Sequence, residues 1–198
     1  TSNNESISDI LKSINDGKTQ LPDFQRGWVW EDERIRAFIA SISNGYPIGA
    51  AMFLQTGGKD IPFKYRLFEG VDKSKGSVEP DRLVLDGQQR NTSIYRAMYS
   101  KKPVETVDSK KKPIKRFYYL NIPLCLDTLT DRIDAVESVP EDKIVYKNIG
   151  REIKLDLSTR EKEFEEHRFP LNIVFDSQEM MRWQRQYTRF HNSEDVDE

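Results

Sequence analysis

Leu83-Val84-Leu85-Asp86-Gly87-Gln88-Gln89-Arg90-Asn91-Thr92 is the stretch from which the fold can be read. Three apolar residues predict a buried strand, Gly87 a turn, and the residues beyond it a helix running to about Tyr99. A strand that turns on glycine into a helix aims backbone N–H groups and the positive helix end at one point, a natural place for phosphate. Gly87, Gln88, Gln89 and Arg90 would receive it, with Thr92 and Ser93 adding hydroxyls, and Arg can grip phosphate oxygens in a bidentate manner. Asp86 is a candidate to hold a divalent metal or orient a water. The same letters allow a second reading. Asp86 and Gln89 form a D-x-x-Q capping box, whose carboxylate would occupy the N–H groups that a phosphate needs.

Upstream, Leu21-Pro22-Asp23-Phe24-Gln25-Arg26-Gly27-Trp28-Val29-Trp30 reads as a loop whose aromatic rings pack beneath the sheet while Gln25 and Arg26 present polar groups. Ile7, Ile10, Leu11 and Ile14 fall on one helix face that Gly17 closes. Ile35, Phe38, Ile39 and Ile42 do the same, with Glu31, Asp32 and Glu33 in the first turn and Gly45 past the end. Ala50–Leu54 reads as a short buried strand ended by Thr56-Gly57-Gly58, Tyr65–Glu69 as a weaker strand, and Gly70–Pro80 as a polar loop. Phe117–Ile122 is a further strand. Phe169–Phe175 is another, confined to an edge by Pro170. Residues 127–148 are charged and poorly periodic, which predicts an insertion or mobile segment. Ser158 with Glu161 and Asp176 with Glu179 mark two helix starts. The second of these helices places Met180, Trp183, Tyr187 and Phe190 along one side, as core or as a face for a neighbouring domain.

The order of elements predicts an α+β fold, with a small mixed sheet, flanking helices and an added helical part at the C-terminal end. Residues 1–125 are expected to form the core, and 126–198 to continue the same domain. A single cysteine among 198 residues leaves no disulfide framework, and with two histidines no Cys/His zinc site within the chain. Cys125, in an apolar stretch, reads as a small buried side chain. His167, among Glu165, Glu166 and Arg168, reads as a solvated helix residue. No run is long and apolar enough to span a membrane, so the expected setting is cytoplasmic. A net charge of −2 gives no overall nucleic-acid signature. The charge is uneven, however. Residues 101–116 carry seven Lys/Arg against two acids, and 127–142 carry six acids against one Arg. Lys110, Lys111, Lys112, Lys115 and Arg116 are therefore the candidate DNA contacts, against the plainer reading of a solvated loop.

Leu21–Gly27 with Trp30, Gly45-Tyr46-Pro47-Ile48-Gly49 and Val84–Thr92 occur in an order and spacing that resemble the N-terminal domain of GmrSD-type restriction endonucleases, over about residues 5–100. Phe117–Leu124 and Phe169-Pro170-Leu171 resemble later, looser parts of the same domain. The resemblance implies a fold related to ParB and sulfiredoxin, with Asp86–Arg90 as the nucleotide site and Gln25 and Arg26 facing it. It implies ATP, GTP or CTP with Mg2+ as cofactor, and a restriction or anti-phage setting in which the nucleotide controls DNA cleavage. On that basis Asp86, Arg26 and Gln25 are the candidate catalytic residues. DNA would be met through a longer protein, of which this chain would be an N-terminal piece with a further C-terminal domain or partner subunit. The chain departs from the family in reading Asn91-Thr92-Ser93 where Leu-Thr-Thr is usual. It also lacks a His-Asn-His nuclease segment.

Three functions follow as expectations. The first is an NTP-binding, NTP-hydrolysing regulatory domain, with Asp86 acting on metal or water, Gln88, Gln89 and Arg90 holding phosphates, and Arg26 neutralising developing charge. The second is a metal-dependent nuclease using the same motif, which would need Asp23 or Glu69 beside Asp86. The third is a non-catalytic DNA- or partner-binding module using the basic segment, with steep salt dependence.

Overall fold

A computed structural model describes residues 5–47, 49–56, 64–148 and 151–194. In chain order the elements are α1 (Ile7–Asn15), β1 (Thr19–Pro22), α2 (Asp32–Ser43), β2 (Met52–Gln55), β3 (Tyr65–Arg66), β4 (Arg82–Asp86) and α3 (Gln88–Ile94). They continue with β5 (Val104–Val107), β6 (Pro113–Asn121), α4 (Ile122–Leu126), β7 (Val136–Pro140), β8 (Ile144–Lys147) and β9 (Glu152–Asp156). The last are α5 (Arg160–Glu165), β10 (Arg168–Pro170) and α6 (Ser177–Glu194). The fold is α+β. Its contacts group the chain into two units, residues 1–30 with 47–96, and residues 31–46 with 97–198.

The first unit is built on a mixed sheet in the order β2-β4-β1-β3, with β1 and β4 parallel and both outer pairs antiparallel. All four residues of β1 are buried, and Leu11 and Ile14 of α1 are buried in the same unit. Burying Thr19 and Gln20 requires partners for their polar groups. Gln20 Nε2 donates to the carbonyls of Gly17 (2.9 Å) and Val78 (2.8 Å), and Thr19 Oγ1 meets Ser13 Oγ at 2.7 Å and Arg82 Nε at 2.9 Å. Gly17 makes the turn out of α1 at φ +73°. In β4, Leu83 and Val84 are fully buried while Leu85 and Asp86 face outward. The predicted buried strand at 50–54 is instead the edge strand β2, with Met52 59% exposed, because it pairs on one side only. The predicted strand at 65–69 shortens to two residues, and the polar loop after it contains a 3-10 turn, Lys73–Ser77.

In the second unit β6 is the centre. β7 pairs along residues 116–120, and β5 and β10 share the other side end to end, pairing with 113–116 and 119–121. Helix α2 is fixed to this sheet through Asp32, whose carboxylate accepts from Tyr118 Oη (2.8 Å) and Ser138 Oγ (2.7 Å). Arg36 donates to the carbonyls of Val136 and Ile133. The segment expected to be an insertion holds two strands, β7 and β8, and β8 pairs antiparallel with β9. Two apolar clusters fill the unit: Tyr119, Val139, Leu155 and Leu157, and then Phe164, Ile173 and Trp183 with Tyr187 and Phe190 against them.

Four local readings change here. The cap of α5 is Thr159, which accepts from Lys162 N, one residue later than the expected Ser158. Asp176 does cap α6, accepting from Glu179 N at 3.1 Å. Strand β10 stops at Pro170 and a 3-10 turn follows, so 171–175 is not extended. Cys125 lies half-buried in the short helix α4. His167 is no solvated helix residue: it takes φ +53° after α5, meets Tyr187 Oη at 2.6 Å and stacks on His191 at 4.7 Å.

Candidate functional site

The site predicted at Asp86–Arg90 lies wholly within the first unit. Gly87 ends β4 and begins α3 in the left-handed region, φ +91°, where a side chain is disfavoured. A Cβ at Gly87 would lie 3.3 Å from Ala51 Cβ and 3.4 Å from Asn91 Nδ2, so the segment before β2 runs close to the turn. Because Gly87 is the residue preceding the first helical turn, Asp86 stands one position too early to cap it. No side chain caps α3, which removes the D-x-x-Q reading. The Asp86 side chain is instead 74% exposed and ion-paired with Arg90 at 3.7 Å. Arg90 also donates from Nη2 to the Ala50 carbonyl at 2.7 Å. Gly49, φ +84°, packs so closely that a Cβ there would overlap the Arg90 guanidinium. Ile48, within the expected Gly45–Gly49 signature, and Gly57-Gly58 lie outside the described residues.

The loop 23–30 sits at the start of α3, and its backbone is held there by side chains. Gln88 Nε2 donates to the Arg26 carbonyl at 2.7 Å. Gln89 takes both ends of the next turn, with Oε1 accepting from Val29 N at 3.0 Å and Nε2 donating to the Gly27 carbonyl at 3.1 Å. Trp28 Nε1 donates to Ser93 Oγ at 2.9 Å, and Ser93 in turn donates to the Gln89 carbonyl. Below the loop, Glu69 Oε1 accepts from Trp28 N (3.1 Å) and Arg66 Nη1 (3.0 Å), while Arg66 Nη2 reaches the carbonyls of Gln25 and Arg26. The Arg96 guanidinium lies 4.8 Å from the centroid of the Trp28 ring. Gln25 donates across to β4, to the carbonyls of Val84 (2.8 Å) and Leu85 (3.0 Å).

The two motifs thus meet at the start of α3, with their amide and hydroxyl side chains turned inward. Gln88 is 8% exposed, Thr92 fully buried and Ser93 1% exposed, so these side chains face inward. Thr92 Oγ1, Gln25 Oε1 and Glu69 Oε2 are buried without a hydrogen-bond partner among the described residues. Arg26 and Asp23 are exposed, and so are Leu85, Met52, Val29 and Phe24 (67%), the last against the expectation that its ring packs beneath the sheet. Trp30 is buried. Arg66, which ties the loop together with Glu69, carried no signal, because a lone Arg-x-x-Glu pair is indistinguishable in sequence from a surface ion pair.

Two further expectations are narrowed. Glu69 is committed to the loop, and among the described residues no three His, Cys, Asp or Glu side chains group as a metal site. In the second unit, the turn between β5 and β6 is organised by Asp108, whose carboxylate accepts from Lys110 N and Lys112 N, each at 2.9 Å, and is thereby held below the usual carboxylate range. Lys111 pairs with Glu31 and Lys115 with Glu141, while Arg116 is half-buried. Among the described residues no helix is long and apolar enough to cross a membrane.

A model of the GmrSD restriction endonuclease N-terminal domain matches residues 7–198, reaching well past the region where the sequence motifs lie. An uncharacterised protein of Methanocaldococcus jannaschii is 29% identical over 197 residues, covering 96% of this chain and 32% of its own length. The chain therefore spans about a third of the curated relative it matches.

Proposed function

From the premise that this chain belongs to the GmrSD restriction endonuclease N-terminal domain family, we propose that its first unit binds a nucleoside triphosphate at the Gly87 turn and serves a DNA-restriction protein as a regulatory domain. The observation that carries this reading is the start of α3: a left-handed glycine, no capping side chain, and Arg90 one turn in. Uncapped N–H groups at a helix start favour an anion, and Arg90, which holds the Ala50 carbonyl there, carries a guanidinium of the kind that grips phosphate. Arg26, exposed on the loop held against α3, would neutralise the outer phosphates. Exposed Leu85 and Met52, on adjacent strands, offer apolar surface beside the turn.

Mg2+ fits as an ion carried by the nucleotide rather than held by a protein cage, since one carboxylate, Asp86, stands at the turn, and Mg2+ is commonly bound by one or two carboxylates plus phosphates. It would supply charge neutralisation. Asp86 would then release Arg90 toward the phosphates. Gln88, Gln89 and Ser93 act in this scheme as positioning residues, through the loop that presents Arg26.

Calorimetric titration of the chain with each of the four NTPs and Mg2+ tests the reading. Binding of at least one, lost in Arg90→Ala with the fold retained, is the expected result. Absence of heat with all four refutes it. Phosphate release by the bound complex, weakened in Arg26→Ala, extends the reading to hydrolysis.

A further inference from the structure

Three of the seven cations in the segment that stands out in the sequence are paired where they lie, Lys101 to Asp176, Lys111 to Glu31 and Lys115 to Glu141. Helix α6 is different. One side buries Trp183 and packs Tyr187 and Phe190 against Phe164. The opposite side exposes Gln184, Arg185, Thr188, Arg189 and Asn192 along one face of the helix. No acid stands among these five. Arg182 is tied to Glu179 at 2.7 Å, but Arg185 and Arg189 make no ion pair among the described residues.

We propose that this face of α6 is a DNA-contacting surface that lies in the major groove of duplex DNA. The five residue types are those that duplex recognition uses. Arg binds phosphate or guanine edges, Gln and Asn bind adenine edges, and Thr meets phosphate or a thymine methyl. From 184 to 192 the face runs about 12 Å along the helix axis, comparable to the width of the major groove. Its positive charge complements the phosphates. The deep, narrow major groove of A-form RNA does not admit a helix, which selects DNA as the occupant. The proposal does not rest on the nucleotide reading, since α6 and the Gly87 turn belong to different units.

The test uses the 198-residue chain and a fluorescein-labelled random-sequence duplex, followed by anisotropy between about 50 and about 200 mM salt. Arg185→Ala/Arg189→Ala is expected to lower affinity at least about tenfold at the lower salt and to make the log–log salt slope shallower by about two. Lys12→Ala/Lys73→Ala, in the first unit, should leave binding unchanged. All four side chains are exposed, and circular dichroism checks that each variant is folded. Selection from a random duplex library should enrich a sequence that changes in Gln184→Ala or Asn192→Ala. Failure to bind duplex at low salt overturns the proposal, as does undiminished binding by the double arginine variant. Equal affinity for heparin or single-stranded RNA overturns it as well, since that would be attraction to any polyanion.

Discussion

Replacing Gln89 by alanine removes two bonds at once, from Val29 N (3.0 Å) and to the Gly27 carbonyl (3.1 Å), and both lie at the exposed rim of the loop. A net hydrogen bond is worth about 0.5–1.5 kcal/mol, and water can replace partners at an exposed site, so the pair contributes about 1 kcal/mol. The higher helix propensity of alanine returns a few tenths (about 0.3 kcal/mol) of that. The loop should therefore open about threefold to fivefold more often, while the global denaturation midpoint hardly moves. Amide hydrogen exchange reads this directly: Val29 N–H loses its acceptor and its protection, and Trp28 N–H, held by Glu69 at 3.1 Å, is protected less. Gln89→Glu gives the sharper result. A carboxylate still accepts from Val29 N but presents a second oxygen to the Gly27 carbonyl, so at neutral pH the loop should be looser than in the alanine variant. Acidification, which protonates that oxygen into a donor, should restore it. If Val29 N–H protection is unchanged in Gln89→Ala while nucleotide binding falls, then Gln89 is a ligand contact and the clamp argument is wrong.

Two further substitutions test the frame. Gly87→Ala forces a side chain into the left-handed region at φ +91° and against Ala51, and should cost about 1–2 kcal/mol in denaturant unfolding. The buried Glu163 accepts from Tyr119 Oη (3.0 Å) and Trp183 Nε1 (3.1 Å), so Glu163→Ala strands two donors and should cost about 3–5 kcal/mol, with Glu163→Gln milder because its amide oxygen still serves the indole. Burial pushes the Glu163 carboxyl above its ordinary 4.5, against the pull of Trp183, Lys143 and Tyr119. The folded state then binds that proton more tightly than the unfolded state. Its contribution is full below 4.5 and is lost as pH rises through the raised value, a slope that Glu163→Gln should flatten in a stability–pH profile.

What could be read from the chain was what local chemistry fixes. The strand before Gly87, the helices with i, i+3, i+4, i+7 faces and the Asp176 cap each depend on neighbours within a turn or two. Strands β7 to β9 escaped for the opposite reason. Val136 and Val139 are buried three residues apart, which breaks the period of two, and the segment becomes extended only by pairing with β6. Glu137 looked like part of an acidic run, yet it accepts from Arg168 at 2.7 Å and Asn121 at 3.1 Å. The capping reading of Asp86 failed on one dihedral angle: the left-handed Gly87 moves the helix start by one residue.

The division of labour inside the motif follows from the same geometry. A helix that enters from a buried strand must turn its first side chains toward a loop already beside it, and here that loop begins about sixty residues earlier in sequence, out of reach of any local pattern. A glutamine carries both a donor and an acceptor, so it can hold a stretch of backbone whose exposed groups alternate between N–H and C=O. Gln89 does this, and the buried Gln88 holds the carbonyl just before it. The charged members, Asp86, Arg90 and Arg26, then occupy the outer side, since an unpaired charge would be costly within. Substituting the two sets should therefore separate by phenotype: the amides and Ser93 through loop exchange, the charged residues through ligand binding with the loop intact.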